Sequence, residues 1–314
     1  VMVGNGGTLT VHGDTSIDAL TIGEYAAKAE LSGGTYGKLK VSNSSTKVGD
    51  LLASGYVFKT TTGALINPNV LLSTLQDSDY PLSVISCSHE TLSADGTCYF
   101  CGAPAEAKIG DQFFGTFSKA VAYANEHAGS TIVLQSNVSI PGTATEEELP
   151  YITANTTLEL NGKTLDMVMV GKLIFDEDRE VAGVTPGALT VNGDGYISNA
   201  ITLYGGALTI TGGEVQTLEL SAYAPCTVSI SGGEIAKLST LAYDDAAIDV
   251  TVSGGTVKNV SSSAGTITFN GHTEAAEGGT IPSWYVSSGK VIVNGGTFNF
   301  TLLDCTGSLI LNGG

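Results

Sequence analysis

GALTITGGEVQTLEL, residues 206–220, carries the unit from which most of the chain is built. Two apolar residues one apart, Leu208 and Ile210, precede a polar residue and Gly-Gly, and a second apolar set follows. The phrase returns as CTVSISGGEIAKLST at 226–240, IDVTVSGGTVKNV at 248–260 and GKVIVNGGTF at 289–298. Strict alternation of Val, Ile and Leu with Thr and Ser is the signature of strands. Glycine at a fixed offset supplies the tight turn between them, and repetition at a short period is the mark of a solenoid.

Aligned on the glycine, the first apolar pairs are Leu189/Val191, Leu208/Ile210, Val228/Ile230, Val250/Val252, Ile267/Phe269, Val291/Val293 and Leu309/Leu311. They are spaced 19, 20, 22, 17, 24 and 18 residues apart. Each unit of about 20 residues therefore reads strand, turn, strand, and stacks one layer (about 4.8 Å) above the last. The expected fold is all-β: a right-handed parallel β-helix with a small insert and an α-helical cap. Upstream, Leu158/Leu160 before Asn161-Gly162, Leu9/Val11 and Ala29/Leu31 repeat the phrase. The stretch between, 46–129, lacks it.

The predicted organisation is an upstream β-helical segment ending at 45, a linker and hairpin insert over 46–86, a zinc-knuckle-like motif over 87–102, a capping helix within 103–129, and the parallel β-helix proper over 130–314. In the helical part Phe113, Phe114, Phe117, Ala120, Val121 and Ala124 recur at helical spacing, with Thr116 as N-cap and Gly129 as stop. An apolar-faced helix of this kind suits the open end of a solenoid core.

The insert holds CSHETLSADGTCYFCG, residues 87–102. Cys87, His89, Cys98 and Cys101 offer three thiolates and one imidazole, a set that fills the tetrahedral shell of zinc and leaves no position for water. A bound zinc would be structural, and is read as a staple between the two β-helical segments. The competing reading is a short Cys98–Cys101 disulfide. Cys226 and Cys305 fall too many rungs apart to be bridged and are expected to be free and buried.

The chain has 314 residues, 31 acidic against 13 basic, and a net charge of −18. Nucleic acid and anionic membrane surfaces are not expected as partners, because binding them needs clusters of Lys and Arg. No apolar run is long enough to span a bilayer. The chain opens and closes inside repeats, from which a fragment of a longer secreted protein is expected.

The run TFSKAVAYANEHAGSTIVLQSNVSI (116–140) followed by LELNGKTL (158–165) resembles the opening module of right-handed β-helix repeat regions in large surface proteins of Gram-positive gut bacteria. The preceding cysteine knuckle and the element around GDLLASGYVFK (49–59) are similar to segments of such proteins. The resemblance implies a pectin-lyase-like fold and a cell-surface or secreted setting. It implies no settled activity, since many of these proteins are described as adhesin-like.

Some β-helices of that type cleave polysaccharides, a chemistry that needs converging carboxylates. Asp244, Asp245, Asp249 and Asp166 are the candidates, but they do not recur in register, and an Asp-Asp pair also suits a turn. His12, His127 and His272 lack nucleophile partners at motif spacing. The function expected is a non-enzymatic extracellular stalk or adhesin that binds a host glycan or host protein, with a carbohydrate-active lyase or hydrolase as the alternative. Tyr204, Tyr223 and Tyr243, at one register on successive rungs, and Trp284 with Tyr285 in the longest rung, are the candidate ligand-binding residues. The alternative for the tyrosines is a stacked packing ladder.

Overall fold

The computed structural model describes the chain except residues 5, 24–26, 143, 147, 274–282, 298–301 and 314. It is 54% strand and 7% helix and forms a β-solenoid of about 14 turns. Two compact units divide it, 1–105 and 106–314.

In the second unit the two strands of every rung go to two different sheets. The first strands, Ser130–Leu134, Asn155–Glu159, Gly187–Asn192, Gly206–Ile210, Cys226–Ile230, Ile248–Val252, Thr266–Thr273, Lys290–Thr297 and Ser308–Leu311, stack in parallel in that order. The second strands run from Tyr151–Ile152 through Lys163–Val170, Gly195–Leu203, Glu214–Ala222, Glu234–Ala242, Thr256–Ser262 and Ser283–Val286 to Leu302–Cys305, again in parallel. Leu189 pairs with Leu208, Leu208 with Val228, Val228 with Val250, Val250 with Ile267, Ile267 with Val291 and Val291 with Leu309, the register read from the repeat. Their side chains point inward with those of Ile201, Leu218, Leu238 and Val260 from the second sheet, and together they form one continuous core. Each such side chain contributes about 1.5–3 kcal/mol of burial.

One rung is out of the expected register. Leu158 pairs with Val191, so the pair in line is Thr156/Leu158, and Leu160 lies two residues beyond it. Asn161 and Gly162 both have positive φ, 52° and 68°, and Lys163 N–H donates to the Leu160 carbonyl at 2.9 Å, the geometry of a tight I′-type turn. That turn carries Leu160, fully buried, under Gly195 and Gly213, where a Cβ would meet its side chain at 2.6 Å.

The turn corner carries a polar column outside the core. Asn294 Nδ2 donates to Asn270 Oδ1 at 2.7 Å, and Asn312 Nδ2 to Asn294 Oδ1 at 2.8 Å. Lower down, the Thr211 and Ser253 hydroxyls donate to Val191 and Ile230 carbonyls of the rung beneath.

The helix spans Phe117–Glu126, with the Thr116 hydroxyl accepting from Lys119 N–H. Phe117, Ala120, Val121 and Ala124 are buried against the first rung, which the helix covers as expected. Phe113 and Phe114 belong instead to Gln112–Phe114, which pairs antiparallel with Ala107–Ile109 at the bottom of the first sheet. Among the described residues no helix is long and apolar enough to cross a membrane.

The first unit begins as a solenoid. Thr8–Ile17 pairs in parallel with Lys28–Tyr36, matching Leu9 with Ala29 and Val11 with Leu31, and Met2–Val3, Leu20–Ile22 and Leu39–Val41 form the second face. Within the predicted linker and hairpin insert, 46–86, two strands pair antiparallel and several side chains join the first unit's core. Leu82–Ser86 runs antiparallel to both Lys28–Tyr36 and Tyr56–Lys59, which ends the parallel stacking. Val48, Leu51, Phe58, Leu72 and Leu82 share one core with Leu31 and Tyr36, where Phe58 meets Tyr36 edge-on at 6.1 Å. Alternation over such short pieces does not reveal which solenoid end they close.

Candidate metal centre and surface tyrosines

Strand Leu82–Ser86 leads directly into Cys87, whose N–H donates to the Gly55 carbonyl at 2.8 Å. His89 follows with a left-handed backbone (φ 51°), a costly conformation for a non-glycine residue that turns the chain back. A turn at 93–96 is closed by Gly96 N–H to the Ser93 carbonyl (2.9 Å) and by Asp95, whose carboxylate accepts from Thr97 N–H at 3.1 Å. The Ser93 hydroxyl on that carboxylate, with Thr97 N–H, holds Asp95 below the usual carboxylate range. The turn expected at Asp95-Gly96 is thus present, and it returns the chain to Cys98. Gly102 (φ 70°) then allows its own N–H to reach the Cys98 carbonyl at 2.9 Å, folding 98–102 into a knuckle.

These turns bring the four predicted ligands together. One donor atom from each of Cys87, His89, Cys98 and Cys101 lies within 4.8 Å of all the others. Cys87 and Cys98 sulfurs are 3.5 Å apart, and Cys101 Sγ is 3.5 Å from His89 Nδ1. Tetrahedral zinc with bonds of about 2.3 Å to sulfur and about 2.0 Å to nitrogen sets such edges at about 3.8 and about 3.5 Å. A disulfide needs about 2.05 Å; all the cysteines are free thiols, and the Cys98–Cys101 bridge is not formed. The group could hold a metal ion.

The electrostatics suit a cation. Burial pushes the Cys87 thiol up and pushes Cys101 up to about 12. Burial also opposes ionisation of Cys98, but N–H donors from Cys101 and Phe100 outweigh it and bring that thiol down. His89 N–H and Ala103 N–H likewise donate to Cys87 and Cys101. Backbone donors aimed at sulfur stabilise thiolate, the form that ligates metal, and a divalent cation supplies the remaining charge compensation. Val57, Leu65, Ile85, Leu92 and Phe100 pack around the cluster and keep water away. All four residues belong to the first unit, so a metal held there would cross-link that unit's own chain rather than staple two segments together.

Tyr204, Tyr223 and Tyr243 stand where the chain leaves the second strand of three successive rungs. Tyr204 N–H donates to the Val170 carbonyl (2.9 Å) and Tyr223 N–H to the Tyr204 carbonyl (3.0 Å), which sets them in one column. The Tyr223 and Tyr243 rings stack at 4.1 Å and 8°. Tyr243 is 38% exposed, while Tyr204 and Tyr223 are half-buried. The facing sides of the Tyr223 and Tyr243 rings are used in packing, while Tyr243 keeps part of its surface in solvent. Desolvation is the main cause that raises the Tyr204 and Tyr223 hydroxyls.

Trp284 is corrected from ligand candidate to core. It is 1% exposed and stacks on Phe269 at 4.9 Å, because position 284 points inward in register with Val260. Tyr285, its neighbour on the strand, faces outward and is 45% exposed. Most of the irregular loop before them, 274–282, lies outside the described residues. Asp244 and Asp245 occupy a turn with φ of 51° and 57°, as their turn reading requires. Cys226 is buried as expected, but Cys305 is exposed, since no described strand pairs beyond Leu302–Cys305 in its sheet.

The repeat drew no attention to Tyr151 and Lys172. Both line a cavity of about 150 Å³ between the helix and the corner of the first rungs, below the tyrosine column. No periodic signal marks it, because its walls come from the helix, an irregular loop and two rungs. No family model, curated protein or solved structure matches this chain.

Proposed function

We propose that the chain is a non-enzymatic β-solenoid segment of an extracellular bacterial surface protein, a stalk or adhesin whose tyrosine corner meets a host glycan or protein. The observation that carries this reading is the stacked pair of Tyr223 and partly exposed Tyr243, with half-buried Tyr204 on the rung before, on a ladder of hydrogen-bonded rungs. Tyrosine offers large contact area and a hydroxyl with little side-chain entropy to lose. A rigid support keeps that surface preorganised.

The metal of the first unit is zinc in this reading, held by Cys87, His89, Cys98 and Cys101. Zinc supplies cross-linking there and no chemistry, since four protein ligands close its shell. It also explains how three clustered thiols persist in an oxidising setting, because ligated thiolates are shielded from disulfide exchange.

Two measurements test the parts separately. Elemental analysis with a thiol count should find one zinc per chain and no disulfide; a metal-free protein with the thiols oxidised rejects the zinc assignment. A glycan array and a pull-down from host secretions should both be run with the Tyr223→Ala/Tyr243→Ala double variant beside the parent chain. Retention of every captured ligand by the folded double variant would sink the corner reading.

A further inference from the structure

The cavity beneath the tyrosine corner is built by helix Phe117–Glu126, strand Tyr151–Ile152 and the start of strand Lys172–Phe175. Its frame is rigid. Asn125 Nδ2 donates to the Tyr151 carbonyl at 2.7 Å, and Asn125 Oδ1 accepts from Thr153 N–H at 2.8 Å. The Ser118 hydroxyl donates to the Glu148 carbonyl at 2.5 Å and ties the loop to the helix. The walls thus do not need to form when a ligand arrives, which is the condition for affinity in a small site.

The lining has a distinct chemistry. Lys172 Nζ lies over the Tyr151 ring, 5.4 Å from its centroid and 3.8 Å from a Glu146 carboxylate oxygen, so a guest would take the ring face as the ammonium swings aside. That separation is long for an ion pair, and both side chains are substantially exposed, 42% and 57%, so each is free to turn towards a guest. Val121, Ala122 and Leu149 supply an apolar floor. An aromatic face, an apolar floor and a carboxylate–ammonium pair at the rim match a ring with one apolar face and a hydroxylated edge. A volume of about 150 Å³ is that of a site for one six-membered ring. A net charge of −18 opposes an anionic guest, and the single lysine in the lining is already shared with Glu146.

The geometry points to a binding site for one neutral pyranose, with Tyr151 as the stacking platform and Glu146 and Lys172 as hydroxyl partners. Its position below Tyr204 makes it the anchoring subsite for a chain that continues along the tyrosine corner. In that last respect it rests on the function proposed above; pyranose binding in the cavity stands by itself.

The test is an NMR titration of the full chain with methyl glycosides of neutral hexoses and N-acetylhexosamines. At least one should saturate at a Kd of about 1 mM, the range of a single small contact set. Tyr151→Ala should weaken it at least about tenfold. Should Tyr151→Ala fail to fold, Glu146→Gln, at an exposed side chain, must show the same loss. No shift with any glycoside, or undiminished binding in folded cavity variants, overturns the site. Binding of only a peptide or a charged ligand at these residues overturns it equally. Array binding that survives the cavity variants but not the tyrosine variants strikes the cavity and spares the corner. Monosaccharide binding in a parent chain that captures neither an oligosaccharide nor a host protein supports the cavity and strikes the corner.

Discussion

Three glycine-to-alanine variants separate backbone strain from rung-to-rung contact in the second unit. At Gly129 (φ 88°) an added Cβ meets nothing within 4 Å, so the variant carries strain alone. At Gly254 no positive φ is involved, but the Cβ would sit 2.5 Å from the Ser231 carbonyl oxygen of the rung below. Gly255 combines both, with φ at 75° and a Cβ 2.6 Å from the Gly233 oxygen. A left-handed alanine costs about 1–2 kcal/mol, and the stiffer unfolded chain returns about 0.4–1 kcal/mol, so Gly129→Ala should lose about 1 kcal/mol. Relieving either clash must open the rungs where Ser253 N–H meets the Ile230 carbonyl (2.8 Å) and Thr256 N–H meets that of Gly233 (2.9 Å). Overpacking of about 1–3 kcal/mol plus about 1 kcal/mol for a weakened hydrogen bond puts Gly254→Ala near 3 kcal/mol. Gly255→Ala should then lose about 4 kcal/mol. For a unit of this size the melting midpoint falls about 2–4 °C per kcal/mol, so calorimetry should find the order Gly129 < Gly254 < Gly255 with a spread of about 10 °C. Equal losses at all three positions would refute the claim that close stacking, rather than turn conformation, demands the glycine pair.

Trp284→Ala should destabilise the second unit by about 3–5 kcal/mol, as expected for an aromatic side chain in the core, while Tyr285→Ala stays within about 0.5 kcal/mol; denaturant melts that rank them the other way would return Trp284 to the surface. Cys305 should react with a thiol reagent in the native protein, whereas Cys226, whose thiol burial pushes up to about 12, should react only on unfolding. Native labelling of both would contradict the packing of the rung at Cys226–Ile230. Burial raises the Glu106 carboxyl although Phe117 N–H donates to it at 2.7 Å. The folded state therefore holds this proton more tightly than the unfolded chain. Its stabilising contribution is complete below the unfolded value and lost as pH rises through the raised one. Melts across that window should slope downward with pH in the parent chain and flatten in Glu106→Gln; identical slopes would remove the linkage.

The repeat was legible because a solenoid is nearly one-dimensional. Each inward residue meets its counterpart one period away, so spacing in the sequence is register in the sheet, and Leu208 finds Val228 without any knowledge of the rest. The metal cluster was legible for a related reason, since Cys87 to Cys101 are joined by short turns whose own residues, Asp95, Gly96 and Gly102, bend the chain. Where periodicity broke, reading failed. The Asn161-Gly162 turn shifted Leu160, and inward register at 284 buried a tryptophan that its long, irregular rung had marked as a ligand candidate.

The amino-acid sequence by itself determined the parallel solenoid, the capping helix and the four clustered ligands, because each depends on contacts one repeat or one turn away. Folding in three dimensions packs 46–86 into the first unit's core, gathers Cys87, His89, Cys98 and Cys101 within that unit, and brings Tyr151, Lys172 and Glu146 together beside the helix. Those outcomes depend on antiparallel pairing and on packing between elements of different period, where no spacing along the chain encodes distance in space.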